Sequence, residues 1–400
     1  MAEIRTDILI SGGGVAGLIA AAAFGSAGFR VICVDPTPPV TEATAAGADL
    51  RSTAFLQPSR AVLEAAGIWE RLAPHAAELR VMRIVEAAAE TPEGQVARDF
   101  DSADISDAPF GWNFPNWLLR REIVARLGGL STVEFRPGVA TDSVFTREAE
   151  ARVGLTDGTR VRARLVVAAD GRNSPVRAAL GIPVTTLRYG QKALAFTVTH
   201  PIPHMDVSTE IHLSGGPFTL VPLPDLDGQP HSAVVWMEHG PRALELAALP
   251  AADFDREMSE RSGHLFGPLS LASRITTWPI ISQYAHRLEG QRTALVAEAA
   301  HVVPPIGAQG LNMSLADLAA LLELACARPE GLGDAAMLAA YHRRRFADIR
   351  LRVTGIDALN RASMAGGPVL THLRTLGMQA LHDIAPVRRA LMRTGLGARA

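Results

Sequence analysis

The stretch IRTDILISGGGVAGLIAAAAFGSAGFRVICVD, residues 4–35, decides the fold. Residues 4–10 alternate and then turn apolar, as a strand entering a buried sheet does. A glycine loop, Gly12–Gly17, follows, then a run of small helix-compatible residues, then a second apolar strand that closes on Asp35. Gly12, Gly14 and Gly17 have G-x-G-x-x-G spacing. In that setting the first glycine allows the tight turn, the second lets a pyrophosphate approach the backbone, and the third lets helix pack on strand. The helix start, with Ala16 in its first turn, offers free N–H groups and the positive dipole end to phosphates. Asp35 stands about 20 residues on, where an acid accepts hydrogen bonds from ribose hydroxyls. An acid there, rather than an arginine cluster, favours an unphosphorylated ribose. That leaves NAD and FAD both open.

Composition narrows the classes. The chain has 400 residues, 48% hydrophobic and 20% charged, enough for a sizeable core. Its 41 acids and 39 bases nearly balance, and no basic tract exceeds Arg343–Arg345, read as a solvated helix face. Nucleic acid is not an expected partner. Cys33 and Cys326 sit in apolar surroundings without metal-ligand spacing, as two buried thiols in a reducing cytoplasm would, so no metal site is expected. The N-terminus lacks a basic n-region and a long apolar h-region, so no signal peptide is indicated. No uninterrupted apolar run reaches the ~20 residues of a membrane span.

Farther along, residues 36–50 are loop by composition, and 57–76 and 119–129 read as helices. From about 184 to 285, alternating segments separated by Pro, Gly and Asp read as an antiparallel sheet with one helical insert near 241–262. Helices run from about 309 to the end. Two further strands end in acids. AADGRNSPVR (168–177) places Asp170-Gly171 at one tip, and RTALVAEAAH (292–301) places Glu298 at another. The loop after Glu298 carries Pro305, Gly307, Gln309, Gly310, Leu311 and Asn312 into an Ala/Leu-rich helix. A simple nicotinamide dehydrogenase needs only the first glycine loop; an extended flavin across the sheet edge also needs an acid for its ribityl hydroxyls and amides for its ring.

With those motifs in order, the chain resembles the group A flavoprotein monooxygenases related to para-hydroxybenzoate hydroxylase, over essentially its full length. Their signature is an N-terminal G-x-G-x-x-G, a central D-G, and a later G-D followed by A-A-H and P-x-x-G-x-G-x-N. Within that group, DLRSTAFLQPS (49–59), AAHVVPPIGAQGLN (299–312) and DALNRASMAGGPVLTHLRTLG (357–377) look most like the ubiquinone-biosynthesis aromatic hydroxylases. The family's G-D reads Ala297-Glu298 here, and the glycine usual before the Gln is Ala308.

The resemblance implies an α/β fold: a discontinuous FAD-binding Rossmann-like domain (1–183 and 286–365), an antiparallel-sheet substrate domain inserted at 184–285 and taking strands from 79–115, and C-terminal helices over 366–400. It implies FAD as cofactor, with NADH or NADPH as co-substrate, O2, and a phenolic, polyprenylated substrate. Arg51 would pass close to the flavin, and Arg120, in an R-x-x-I-x-x-x-L helix pattern, would pair with the pyrophosphate. Glu298 would hold the ribityl chain, and the N–H groups around Gly310, Leu311 and Asn312 would face the N1–O2 edge of reduced flavin. Gly216, Pro217 and Leu223 would line the substrate side. No catalytic side chain is assigned; His301 is read as satisfying helix or loop carbonyls. An amphipathic segment at 368–394 leaves two readings open, packing on the body or resting on anionic lipid. Location is expected to be cytoplasmic, with peripheral membrane or biosynthetic-complex association left open, as is oligomeric state. The competing functions are a flavin oxidoreductase that does not use oxygen, a hydroxylase of a non-quinone pathway, and a non-enzymatic member that keeps the fold.

Overall fold

The computed structural model describes residues 3–87, 95–212 and 215–364, with positions 383, 386, 388, 389, 392 and 393. Strand Glu3–Ser11 lies at the centre of a mostly parallel sheet. Val31–Asp35 pairs with it on one side and Arg160–Ala168 on the other, and Val133–Pro137 and Thr293–Leu295 extend the sheet outward. The register aligns the C-terminal tips: Ser11 stands beside Val34 and Ala168, and Ala168 beside Leu295. All three acid-ended strands therefore deliver their loops to one edge, where ligands bind in open α/β sheets. The strands are apolar where helices cover the sheet: Val15–Ser26, buried from Ala16 through Gly25, packs on them and against helix Gln309–Ala327.

The second sheet has nine strands. Its order runs His301–Val302, Thr276–Ala285, Val184–Thr199, Gln229–His239, Pro217–Leu226, Val207–His212, Val81–Ala87, Gln95–Asp101, with Ser270–Leu271 pairing at the side of Val184–Thr199. Pairing is antiparallel except between Val207–His212 and Val81–Ala87. A small third sheet joins Ser52–Leu56, Gly111–Pro115 and Ala77–Leu79. The expected helical insert is two helices, Gly240–Ala247 and Ala251–Arg261, split at Pro250. The protein is thus an α/β fold with an antiparallel sheet against the dinucleotide-type sheet and a helical C-terminal part that includes the 30-residue helix Ala335–Met364.

Two expectations need correction. Arg345 is buried rather than solvated: Nε meets Asp317 Oδ1 at 2.8 Å and Nη1 meets Asp348 Oδ2 at 2.7 Å, because the helix turns it inward while Arg343 and Arg344 face out. Cys33 is buried, but Cys326 is exposed near the end of its helix. Helix Gln309–Ala327 is long and apolar enough to cross a membrane by length and composition, yet Asp317 at its middle is fully buried in a charged network. The C-terminal helices expected over 366–400, and the 368–394 segment with them, lie outside the described residues apart from six positions; among these, Arg388 Nε meets Asp104 Oδ2 at 2.9 Å.

Candidate active site

The glycine loop is built by close contacts. Gly12 has φ +104°, and a Cβ on it would strike the Ala169 carbonyl; a Cβ on Gly17 would strike the carbonyl of Gly12. Gly14 differs, because nothing lies within 4 Å of where its Cβ would stand. It is also the N-cap of helix Val15–Ser26, with no side-chain cap and no acid in the first turn. The helix's orphan N–H groups therefore face open space, into which Gly14, Ala16 and Gly17 look. Asp35 and Gly12 lie off this wall. Asp35 pins the loop, accepting from Gly13 N at 2.6 Å and from Thr37 N at 2.8 Å.

The same cavity, about 510 Å³, takes in most of the other candidate residues. Arg51 and Arg120 enter from the 49–52 loop and helix Asn116–Gly128. Between them stands Asp49, which the sequence reading did not single out although it opens the DLRST segment. Arg51 Nε and Nη2 grip its two oxygens at 2.8 and 2.7 Å, Asn116 Nδ2 donates at 3.0 Å, and Arg120 Nη2 lies 3.6 Å away. Burial pushes the Asp49 carboxyl up, but the hydrogen bond and charge of Arg51, with Asn116 and Arg120, outweigh it and hold it below the usual range. The hydrogen bond to Asp49, together with the charges of Asp49 and Glu298, raises the Arg51 guanidinium. Arg51 also lies over the Trp278 ring, 5.3 Å from its centroid.

At the third strand tip, Gly171 lines the cavity and Asp170 sits just behind it. Asp170 Oδ2 accepts from Val176 N at 3.1 Å, while its buried Oδ1 has no partner among the described residues. Burial pushes this carboxyl up, against the pull of Ser174 and the Val176 N–H. Arg177 ties this tip to the next, donating to the carbonyls of Arg172 at 2.7 Å and Ala299 at 2.8 Å. At that next tip Glu298 faces the cavity half-exposed, 3.4 Å from Arg172 Nε. Ala297 beside it holds φ +54°, and Ala308 holds φ +55° as N-cap of helix Gln309–Ala327. The family's two glycines are thus alanines that keep the glycine-type backbone.

That helix start, like the one after Gly14, has neither a side-chain cap nor a first-turn acid. Pro305, Gly307, Gln309, Gly310 and Leu311 line the cavity. Asn312 does not; its side chain clamps the 54–59 segment to the helix, accepting from Leu56 N and Ser59 Oγ and donating to the Ala54 and Ala308 carbonyls. Expected to satisfy carbonyls, His301 instead reaches the buried Asp317 carboxylate, Nε2 to Oδ2 at 2.7 Å, and lines the cavity with Nδ1 unpartnered among the described residues. From Asp317 the network runs through Arg345, Asp348 and Arg352 back to Gln309 Oε1 at the cavity.

Another wall of the cavity is apolar: Leu56, Leu79, Phe110, Met82 and Val221, a cluster on which Ala308 also packs. Gly216, Pro217 and Leu223 are not on it. Pro217 and Leu223 share the strand face of Thr219 and Val221 by two-residue alternation, but only the strand's middle lies over the cavity. Gly216 packs instead against Gln191 and takes the Arg261 guanidinium on its carbonyl. The wall also carries polar groups that sequence reasoning missed, Ser208, Asn113 and Glu210, because strand register is not readable from local composition.

FAD fits this donor set. Two uncapped helix starts, the free space over Gly14 and two arginines suit a pyrophosphate and the electron-rich edge of a flavin. A family model for the FAD binding domain matches residues 5–353. The chain is 33% identical over 399 residues to a ubiquinone hydroxylase, UbiL, of Rhodospirillum rubrum, covering 99% of this chain and 90% of that one. It is 27% identical over 404 residues to the 3-demethoxyubiquinol 3-hydroxylase of Escherichia coli, covering 99% and 100%. In fold it is similar to p-nitrophenol 4-monooxygenase PnpA of Pseudomonas putida, with TM-score 0.78, 20% identity and full coverage of both chains. PqsL of Pseudomonas aeruginosa gives TM-score 0.75 at 23% identity, covering 90% of this chain and 97% of that one. With cradle, strand tips and relatives in agreement, the chain belongs to the FAD-binding-domain family and is a flavin-dependent monooxygenase.

Proposed function

We propose that this protein hydroxylates the aromatic ring of a prenylated phenol on the route to a quinone, drawing electrons from NADH or NADPH and oxygen from O2. The observation that carries the reading is one cavity with two unlike walls. One wall is backbone N–H groups and arginines; the other is Leu56, Leu79, Phe110, Met82 and Val221, apolar enough for a ring and the start of an isoprenoid chain. The names of the two curated relatives support the quinone substrate class.

FAD, when bound, carries reducing equivalents from the nicotinamide to O2 and supplies the electrophilic oxygen. The chain's own part is placement. The Gly14 helix start, Arg51 and Arg120 are assigned the pyrophosphate, Asp35 the ribose, Glu298 with the Asp170–Gly171 turn the ribityl side, and the Gly310–Leu311 N–H groups the negative edge of reduced flavin. The apolar wall keeps water from the reacting ring. A substrate with an isoprenoid tail resides in a membrane, so peripheral association at its inner face belongs to the same reading, and cosedimentation with anionic liposomes tests that part.

The functional test is NADH and NADPH oxidation by the FAD-loaded protein with 2-geranylphenol. We expect the phenol to accelerate both pyridine-nucleotide oxidation and O2 uptake and to yield a catechol. Oxidation that ends only in hydrogen peroxide with every phenol contradicts the substrate class. Phenol-dependent oxidation without O2 uptake favours an oxygen-independent oxidoreductase.

A further inference from the structure

Resting on that substrate reading, we propose that Glu210 is a catalytic residue: its carboxylate accepts the hydrogen bond of the substrate's ring hydroxyl and takes its proton during oxygen transfer, held in place by His212. Strand Val207–His212 presents Ser208, Glu210 and His212 on one face by two-residue alternation. Ser208 and Glu210 line the cavity, as do their cross-strand neighbours Met82 and Thr219. Glu210 is only 7% exposed. His212 Nε2 meets its Oε1 at 2.8 Å, and among the described residues this is its one hydrogen-bond partner. Among the described residues, the second carboxylate oxygen therefore has no donor.

Placing a carboxylate against the apolar wall is costly unless something bonds to it. Among the described residues Glu210 is the only acid beside those apolar side chains; the cavity's other acids, Asp49 and Glu298, are engaged by arginines. His212 lies across from the buried Glu86 in the parallel register, so the flanking charge on its other side is also acidic. That arrangement favours a histidine that donates through Nε2 and fixes Oε1, leaving the other oxygen aimed by its partner rather than free to rotate.

The one other reagent is the electrophilic oxygen that bound flavin would supply from O2: its O–O bond breaks as the ring C–O bond forms, and the departing oxygen keeps that electron pair and takes a proton from water. As the ring carbon gains oxygen, the phenolic O–H bond breaks and its electron pair stays on oxygen and feeds the ring. The proton ends on Glu210. When the displaced ring C–H proton leaves to water, Glu210 returns its own proton to the ring oxygen and regains its charge. A carboxylate positioned for this contributes to kcat rather than to FAD retention.

The test compares 2-geranylphenol with its methyl ether, 2-geranylanisole, titrated into oxidised FAD-loaded protein and read from the flavin absorbance. The wild type should prefer the phenol by about tenfold or more, as sites built to bond a hydroxyl do. Glu210→Leu, with normal FAD content and melting temperature, should lose that preference to within about threefold. Glu210→Gln, whose amide oxygen still accepts, should keep much of it while kcat falls far more than KM changes. A FAD-replete Glu210→Leu variant with the wild-type preference overturns the assignment, as does a wild type that binds both ligands equally. If neither ligand perturbs the flavin, the prenylphenol reading itself falls and the assignment with it. Should Glu210→Leu fail to retain FAD, the wild-type comparison and the kcat–KM split in Glu210→Gln decide.

Discussion

Ala297 and Ala308 occupy left-handed backbone at the two turns bordering the cavity, φ +54° and +55°, where the resembling family has glycine. A Cβ in that region costs about 1–2 kcal/mol, and glycine's extra freedom in the unfolded chain offsets part of the relief on replacement. Ala297→Gly should therefore raise unfolding stability by up to about 1 kcal/mol, whereas Ala297→Val, β-branched at positive φ, should lower it by about 2 kcal/mol; urea denaturation of the apoprotein measures both. An Ala297→Val protein as stable as wild type would mean that the turn is not left-handed. Asp49 gives a pH-dependent case. Its folded carboxyl titrates below the unfolded value of about 3.9, so its stabilisation is present above that pH and is lost as pH falls through the folded value. The melting-temperature gap between wild type and Asp49→Asn should be full at pH 6 and shrink in acid; a gap that widens on acidification contradicts the Arg51–Asp49 pairing.

At the scale of elements, the glycine loop separates packing from binding. Gly17→Ala drives a methyl into the Gly12 carbonyl and should destabilise the apoprotein by several kcal/mol, on the order of other overpacked cores. Gly14→Ala meets open space at φ −64° and should leave apoprotein melting unchanged while weakening FAD binding at least about tenfold. Fluorescence titration with FAD reads the second; equal affinity would place the pyrophosphate elsewhere. Asp317 ties helix Gln309–Ala327 to His301 and to the last long helix, so Asp317→Ala, which leaves Arg345 buried without this partner, should cost about 3 kcal/mol or more in thermal or urea melts. The strand–loop–helix–strand opening and the acid-ended strand tips were legible because each is written in contiguous residues. The clamp by Asn312, the grip on Asp49 and the Asp317 network were not. They join residues as far apart in sequence as Leu56 and Asn312, and only tertiary packing brings them together. Pro217 and Leu223, expected on the substrate side but absent from the cavity lining, show the same limit within one strand: alternation identifies a face but not which part of it lies over the cavity.

For the whole molecule, the decisive feature is the meeting of two sheets. The parallel sheet aligns its strand tips beside the glycine loop, and the small third sheet together with strands of the antiparallel sheet brings an apolar wall and Glu210 to the same cavity. This arrangement was legible from the order of motifs and their family resemblance more than from periodicity, because the antiparallel region has no local signal for its partner strands. It separates the work of holding a flavin from the work of choosing a ring, so variants of the two walls should move different observables. The most direct test runs the FAD-loaded protein with a reduced nicotinamide and 2-geranylphenol under 18O2 and weighs the product. The expected product is a catechol carrying one 18O atom, formed in proportion to the nucleotide consumed. A product whose new oxygen comes from water, or the absence of any hydroxylated product while the nucleotide is consumed, would contradict it.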